Sequence, residues 1–106
     1  MTVRYSEVHG ELRCFEADDP GDYDDYDAFC NVQIWRPRVA CLRGLKGTIS
    51  RKIMRQIVGV LAARGVAVVY AERAPHRKLP FARRIPSGDF AGMWRLDIEE
   101  IRRAAT

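Results

Sequence analysis

The sequence predicts an α+β fold, a mostly antiparallel mixed sheet with one main amphipathic helix packed across it. Three observations predict it. Short segments up to residue 42 alternate apolar and polar residues, the period of a half-buried strand. Residues 49 to 64 switch to a period of 3.6. The chain then enters a continuous apolar run, Val66-Ala67-Val68-Val69-Tyr70-Ala71, the pattern of a strand buried on both faces. With 106 residues, 47% hydrophobic and 30% charged, the chain has the material for one core and one domain, residues 1–106, and a disordered or collagen-like chain is excluded.

The elements follow in order. Residues 3–8 and 12–15 alternate as strands, with His9-Gly10 between them as a turn, so a hairpin is expected. Residues 16–27 hold Pro20-Gly21 among closely spaced carboxylates that repel each other, and form an acidic loop. Ala28 to Trp35 and Val39 to Leu42 make a second strand pair, bent at Arg36-Pro37-Arg38. In the helix, Ile49, Ile53, Ile57 and Val60 fall on one arc, widened by Met54, Val58 and Leu61, while Arg51, Lys52, Arg55 and Gln56 take the other side. Thr48 is the expected N-cap and Gly65 the residue that ends the helix. Residues 73–87, with three prolines and a row of basic residues, read as a long connection. Phe90 to Leu96 is the last strand, and Asp97 is placed to cap a short terminal helix with Glu100 at its third position.

Charge is split along the chain. Residues 1–27 carry a net of −7 and the rest a net of +11, so the formal total of +4 describes neither part. Most of the basic residues are arginines, which hold phosphate and carboxylate in forked contacts better than lysine does. No apolar run approaches the ~20 residues of a membrane span, and the first residues lack the apolar core of a signal peptide, so a cytoplasmic protein is expected. Cys14, Cys30 and Cys41 form no Cys-x-x-Cys pair and neither His9 nor His76 is spaced with them as a ligand, so they read as buried free thiols and no metal is expected. The acidic loop lacks the glycine and the distal Glu of a calcium loop.

Chemistry concentrates where strand 39–42, the basic Gly-containing loop Arg43-Gly44-Leu45-Lys46-Gly47-Thr48, the helix and strand 66–71 follow one another. A helix N-terminus offers unpaired N–H groups and partial positive charge to a phosphate, and glycines admit close backbone approach. On spacing alone the loop equally serves as a plain strand-to-helix turn. The unit, with its Arg-Gly-x-x-Gly loop and the helix end Leu61-Ala62-Ala63-Arg64-Gly65-Val66, resembles the central motif of the GCN5-related N-acetyltransferase (GNAT) superfamily, over roughly residues 30–72. With Gly47 in the motif's first glycine slot, Gly44 stands where Gln or Arg is usual and Ile49 where Gly or Ala is usual. The resemblance implies that Val39, Cys41 and Leu42 line the pantetheine arm of acetyl-CoA, and that Arg43, Gly44, Lys46, Gly47, Thr48 and Ile49 surround its diphosphate.

The family's usual opening strand and two helices have no counterpart in the first 47 residues, so the acceptor side is missing or rebuilt. The strand before the loop carries no acid for the family's general base. Glu72 and Tyr70, at the carboxyl end of a central strand, are the substitutes, with Glu72 placed to take a proton from an amine. Equally, Glu72 pairs with a neighbour such as Arg73. His76 is the lesser titratable group.

Two readings of function stand. The first is an acetyl-CoA-binding acyltransferase-like protein, an N-acetyltransferase if active, moving an acetyl group to an amine or other basic acceptor. The second is a non-enzymatic protein, encoded by a phage or other mobile element, that engages a protein partner through its charge-split surface. Arginines with Trp35, Phe81 and Trp94 also suit nucleic acid, though no nucleic-acid motif is present. Excess apolar surface at Trp35, Phe90 and Trp94 suggests a homodimer. A Gly47→Glu variant is expected to lose coenzyme A and still fold.

Overall fold

The structure, a computed structural model, describes residues 1–3, 8–15, 27–73, 77 and 79–104. The elements are β1 His9–Cys14, β2 Ala28–Arg36, β3 Val39–Gly47, α1 Arg51–Ala63, β4 Val68–Ala71, β5 Arg83–Arg84, β6 Trp94–Asp97 and α2 Ile98–Ala104. They form a six-stranded sheet in the order β1-β2-β3-β4-β6-β5. The β3 and β4 strands run parallel, and every other neighbouring pair is antiparallel. That one parallel pair is what α1 makes possible, since parallel neighbours need a crossover rather than a tight turn.

Alternation along the strands decides which residues meet the helix. Cys14, Ala28, Cys30, Val32, Ala40, Leu42, Val69, Ala71 and Leu96 turn to one face. There they pack with Ile53, Met54, Ile57, Val58 and Leu61, the buried stripe of α1. Each such aliphatic side chain contributes about 1.5–3 kcal/mol when fully buried. The helix ends as its sequence implies: the Gly65 N–H donates to Ala62 O and the Val66 N–H to Leu61 O, with Gly65 at φ 82°. This paired closure needs a left-handed residue, which glycine supplies without a Cβ clash.

The start of the helix differs from expectation. Ser50, not Thr48, is the N-cap, its Oγ accepting from the Ile53 N–H at 3.1 Å. Ile49 lies outside the helix and is 5% exposed. Burying Ile49 in the core delays the first helical turn and passes the cap to the next hydroxyl. The expected loop 43–48 is mostly strand, because β3 stays paired with β2 through Gly47. Likewise His9 and Gly10 are not a turn but open β1, paired with Gln33 and Val32. The last strand begins at Trp94, since Phe90 to Met93 are folded into a turn by bonds from Gly92 N to Ile85 O and from Met93 N to Phe90 O. The basic connection contains β5, which pairs with β6. Residues 4–7, expected as strand, residues 16–26, expected as an acidic loop, and His76 lie outside the described residues. Among the described residues no helix is long and apolar enough to cross a membrane.

Candidate functional site

The parallel ladder is short. It runs from Val39↔Val68 to Leu42↔Ala71, and the Glu72 N–H adds one more bond to Leu42 O at 3.0 Å. Beyond Leu42, β3 continues to Gly47 with β2 as its partner while the chain leaves β4. The two strands therefore part at their carboxyl ends and leave a wedge, the place where open sheets receive ligands. Gly44, Leu45, Glu72, Arg73, Ala91, Gly92 and Met93 line it.

Two glycines shape the upper wall. Between Arg43 and Lys46, β3 carries one residue more than the facing stretch of β2, a bulge with Gly44 at φ 64°. A left-handed glycine is the usual device for such a bulge, which bends its strand and frees backbone groups from the ladder. Gly47, at φ 86°, is held so close to β2 that a Cβ would collide with the Asp27 carbonyl oxygen and come within 3.0 Å of Ala28 Cα. The glycine is required by packing against Asp27, so Gly47→Glu disturbs the fold and does not isolate ligand binding.

The Gly47 carbonyl oxygen accepts from two guanidinium groups, Arg73 Nη2 at 3.0 Å and Arg77 Nη2 at 3.1 Å. Leu79 is buried in the core, and the Phe81 ring lies under Arg51 and Arg55, so the chain that carries both arginines is fastened against α1. Burial, and then the charge of Arg77, makes the protonated form of Arg73 harder to hold than in water. The buried Nε of Arg73 has no hydrogen-bond partner. Two converging cations, an orphaned donor and the head of a helix whose first turn holds no acid make this corner short of negative charge. A diphosphate fits that deficit. The sequence pointed to this corner through the glycines. It gave no sign of Arg73 and Arg77, which reach Gly47 across 26 and 30 residues.

The remaining expected residues are divided by strand alternation. Leu42 is fully buried toward the helix and offers a ligand only its backbone, and Ile49 is committed to the core in the same way. Cys41, on the other face, pairs with Tyr70 in register. Burial pushes its thiol up, and the neighbouring Arg43 only partly opposes this, so it is not poised as a nucleophile at neutral pH. Lys46 is exposed on β3 opposite Phe29.

Glu72 and Tyr70 occupy different hollows. The Glu72 carboxylate is 3.6 Å from Arg43 Nε, both half-exposed, so its partner is Arg43 and not Arg73. Tyr70 faces a second hollow with Arg83, Arg84, Phe90, Arg95 and Asp97. Its ring stacks on Phe90 with centroids 4.5 Å apart and beside Trp35 at 5.7 Å, and its hydroxyl accepts from Arg95 Nη1 at 3.4 Å. Phe90 and Trp35 thus pack on each other within the chain, with Phe90 placed by the turn before β6.

No protein-family model matches the sequence, and no curated protein matches it. Solved structures do match in shape. One, described as an acetyltransferase of the GNAT family from Desulfovibrio desulfuricans, superposes with a TM-score of 0.55 at 14% identity, over 86% of this chain and 70% of that one. Another, the PaiA N-acetyltransferase of Thermoplasma acidophilum in complex with coenzyme A, gives 0.56 at 12% identity, over 85% of this chain and 61% of that one. The chain therefore has a GNAT-like fold and spans less than two thirds of the second neighbour's length.

Proposed function

We propose that the wedge between β3 and β4 binds an acyl-coenzyme A, with the thioester arm along the free edge of β3 and the diphosphate at Gly47, Arg73, Arg77 and the head of α1. The observation that carries this reading is the convergence of Arg73 and Arg77 on one carbonyl oxygen beside the strand splay. The bulge at Gly44 bends β3 at the wedge, and backbone N–H groups turned outward along that strand would hold the charge that develops on a thioester carbonyl during acyl transfer. In the acetyltransferase reading an acceptor amine gives up its proton to Glu72 and attacks the carbonyl carbon. The C–S bond then breaks, and the departing thiolate takes a proton from the Tyr70 hydroxyl. Tyr70 and Glu72 line different hollows, so this reading requires an acceptor that spans both.

Calorimetric titration with acetyl-CoA tests the binding claim. Saturable 1:1 heat is expected, weakened about tenfold or more in Arg77→Glu, which places an exposed carboxylate against the diphosphate. Absence of heat and of any thermal shift at millimolar ligand overturns it.

The second reading is a binding protein without turnover. It is favoured by the Arg43–Glu72 ion pair and by the separation of Tyr70 from Glu72. Acetyl-CoA binding with no thiol release against a broad amine panel supports this reading, and release abolished by Glu72→Gln supports the first.

A further inference from the structure

We propose that the outer edge of β1 is an interface with a second copy of this chain, in the antiparallel register that sets Glu11 opposite the partner's Arg13. The strand ends the sheet, and among the described residues none pairs with its outer side. An unpaired edge is a template for another strand, and this one holds no proline or lysine to discourage it.

The parity of the ladder says which groups are offered. The Ile34 N–H donates to Val8 O at 2.7 Å, continuing the register His9↔Gln33. Inward and outward groups alternate in an antiparallel pair. Residues 8, 10, 12 and 14 therefore spend their backbone groups on β2, and His9, Glu11 and Arg13 present theirs outward. Only residues of that odd set can exchange bonds with a neighbouring strand.

Charge then selects among the allowed registers. Glu11 opposite itself sets like charges face to face, and His9 opposite Glu11 carries Arg13 beyond the described part of the partner's strand. Glu11 opposite the partner's Arg13 satisfies parity and, by two-fold symmetry, forms the same pair twice. Within one chain Arg13 Nη2 already lies 3.2 Å from Glu11 Oε2 on the open face, with both side chains largely exposed. Pairing the edges joins two such bridges into one network of four alternating charges. On the other face it sets Leu12, partly exposed at the rim of the core, against the partner's Leu12. The groove of mixed polarity beside β1, with Leu12, Ile34 and the exposed Val60 as its apolar part, borders this edge.

The site lies at the far end of the sheet from Arg83–Arg84 and is independent of the coenzyme A reading. Sedimentation equilibrium of the full chain tests it. The expected result is a dimer for the wild type and a dimer constant weakened about tenfold in Glu11→Arg, which turns two attractive cross-strand pairs into repulsive ones. Dimerisation should return in the double variant Glu11→Arg with Arg13→Glu. Glu11→Pro blocks the outward N–H and leaves the β2 ladder intact, so it should give a folded monomer with wild-type circular dichroism. A wild-type monomer at high concentration overturns the proposal, as does a dimer indifferent to all of these changes.

Discussion

Arg73 and Arg77 donate to the same acceptor, the carbonyl oxygen of Gly47, at 3.0 and 3.1 Å. Two guanidinium groups sharing one neutral oxygen repel each other, and a bound anion relieves that repulsion. Arg77, exposed, is expected to contribute within about 0.5 kcal/mol to the stability of the free protein. Inorganic pyrophosphate should raise the melting temperature of the wild type, since a ligand at 100 times its Kd adds about 2.7 kcal/mol. Arg77→Ala should melt close to the wild type without pyrophosphate and lose most of the rise with it. Differential scanning fluorimetry across a pyrophosphate series reads both effects. An equal rise in wild type and variant would place the anion elsewhere.

Gly47 and Gly65 separate two reasons for a glycine. Both have positive φ, but a Cβ on Gly65 meets nothing within 4 Å, whereas one on Gly47 collides with the backbone of Asp27. Gly65→Ala should therefore cost about 1–2 kcal/mol, the strain of the left-handed region. Gly47→Ala should cost about 3 kcal/mol or more, because β2 and β3 must also move apart. Urea midpoints of the two variants give the comparison, and equal losses would remove the packing argument.

Ser50 and Thr48 make the same kind of test for the head of α1. Ser50→Ala removes the acceptor of the Ile53 N–H and should cost about 1 kcal/mol. Thr48→Ala should change the urea midpoint by no more than an ordinary surface substitution, about 0.5 kcal/mol. A larger loss at Thr48 would move the helix start back to where the sequence alone suggests it.

That difference shows how far local pattern reaches. The α1 stripe, the Gly65 closure and strands at Val39 and Val68 were legible because their signals repeat within a few residues. Thr48 and Ser50 both qualify as caps in isolation, Ser being the somewhat better one, and the tertiary demand to bury Ile49 also favours Ser50. Gly44-Leu45-Lys46-Gly47 reads as a loop by composition, yet β2 extends the pairing over it, with the bulge at Gly44 absorbing the extra residue. The same holds for the site. Glycines near a helix start marked the corner, whereas Arg73 and Arg77 come from a proline-rich stretch with no period to announce their return to Gly47. The partner of Glu72 follows the same rule: Arg73, the example the sequence offers, is next in the chain, but Arg43 lies across the parallel ladder.

The three thiols make the protein sensitive to alkali in a definite window. Burial, reinforced by the nearby Cys14, pushes the Cys30 thiol from 9.0 up to about 12. Burial raises Cys14 as well. A pKa raised on folding means that, above pH 9, the folded state retains a proton the unfolded chain has released, so stability falls as pH rises. The contribution of Cys30 is whole below pH 9 and declines as pH climbs toward about 12, by about 2 kcal/mol at pH 10.5. Lysines and tyrosines titrate in the same range, so the difference between wild type and Cys30→Ala isolates the effect. The variant should be less stable at pH 8 by about 1–2 kcal/mol for the atoms removed. Its urea midpoint should then fall less steeply than that of the wild type between pH 9 and pH 10.5, and the two curves should converge. Parallel curves would show that Cys30 ionises in the folded protein as readily as in the unfolded chain, and would contradict its place in the core.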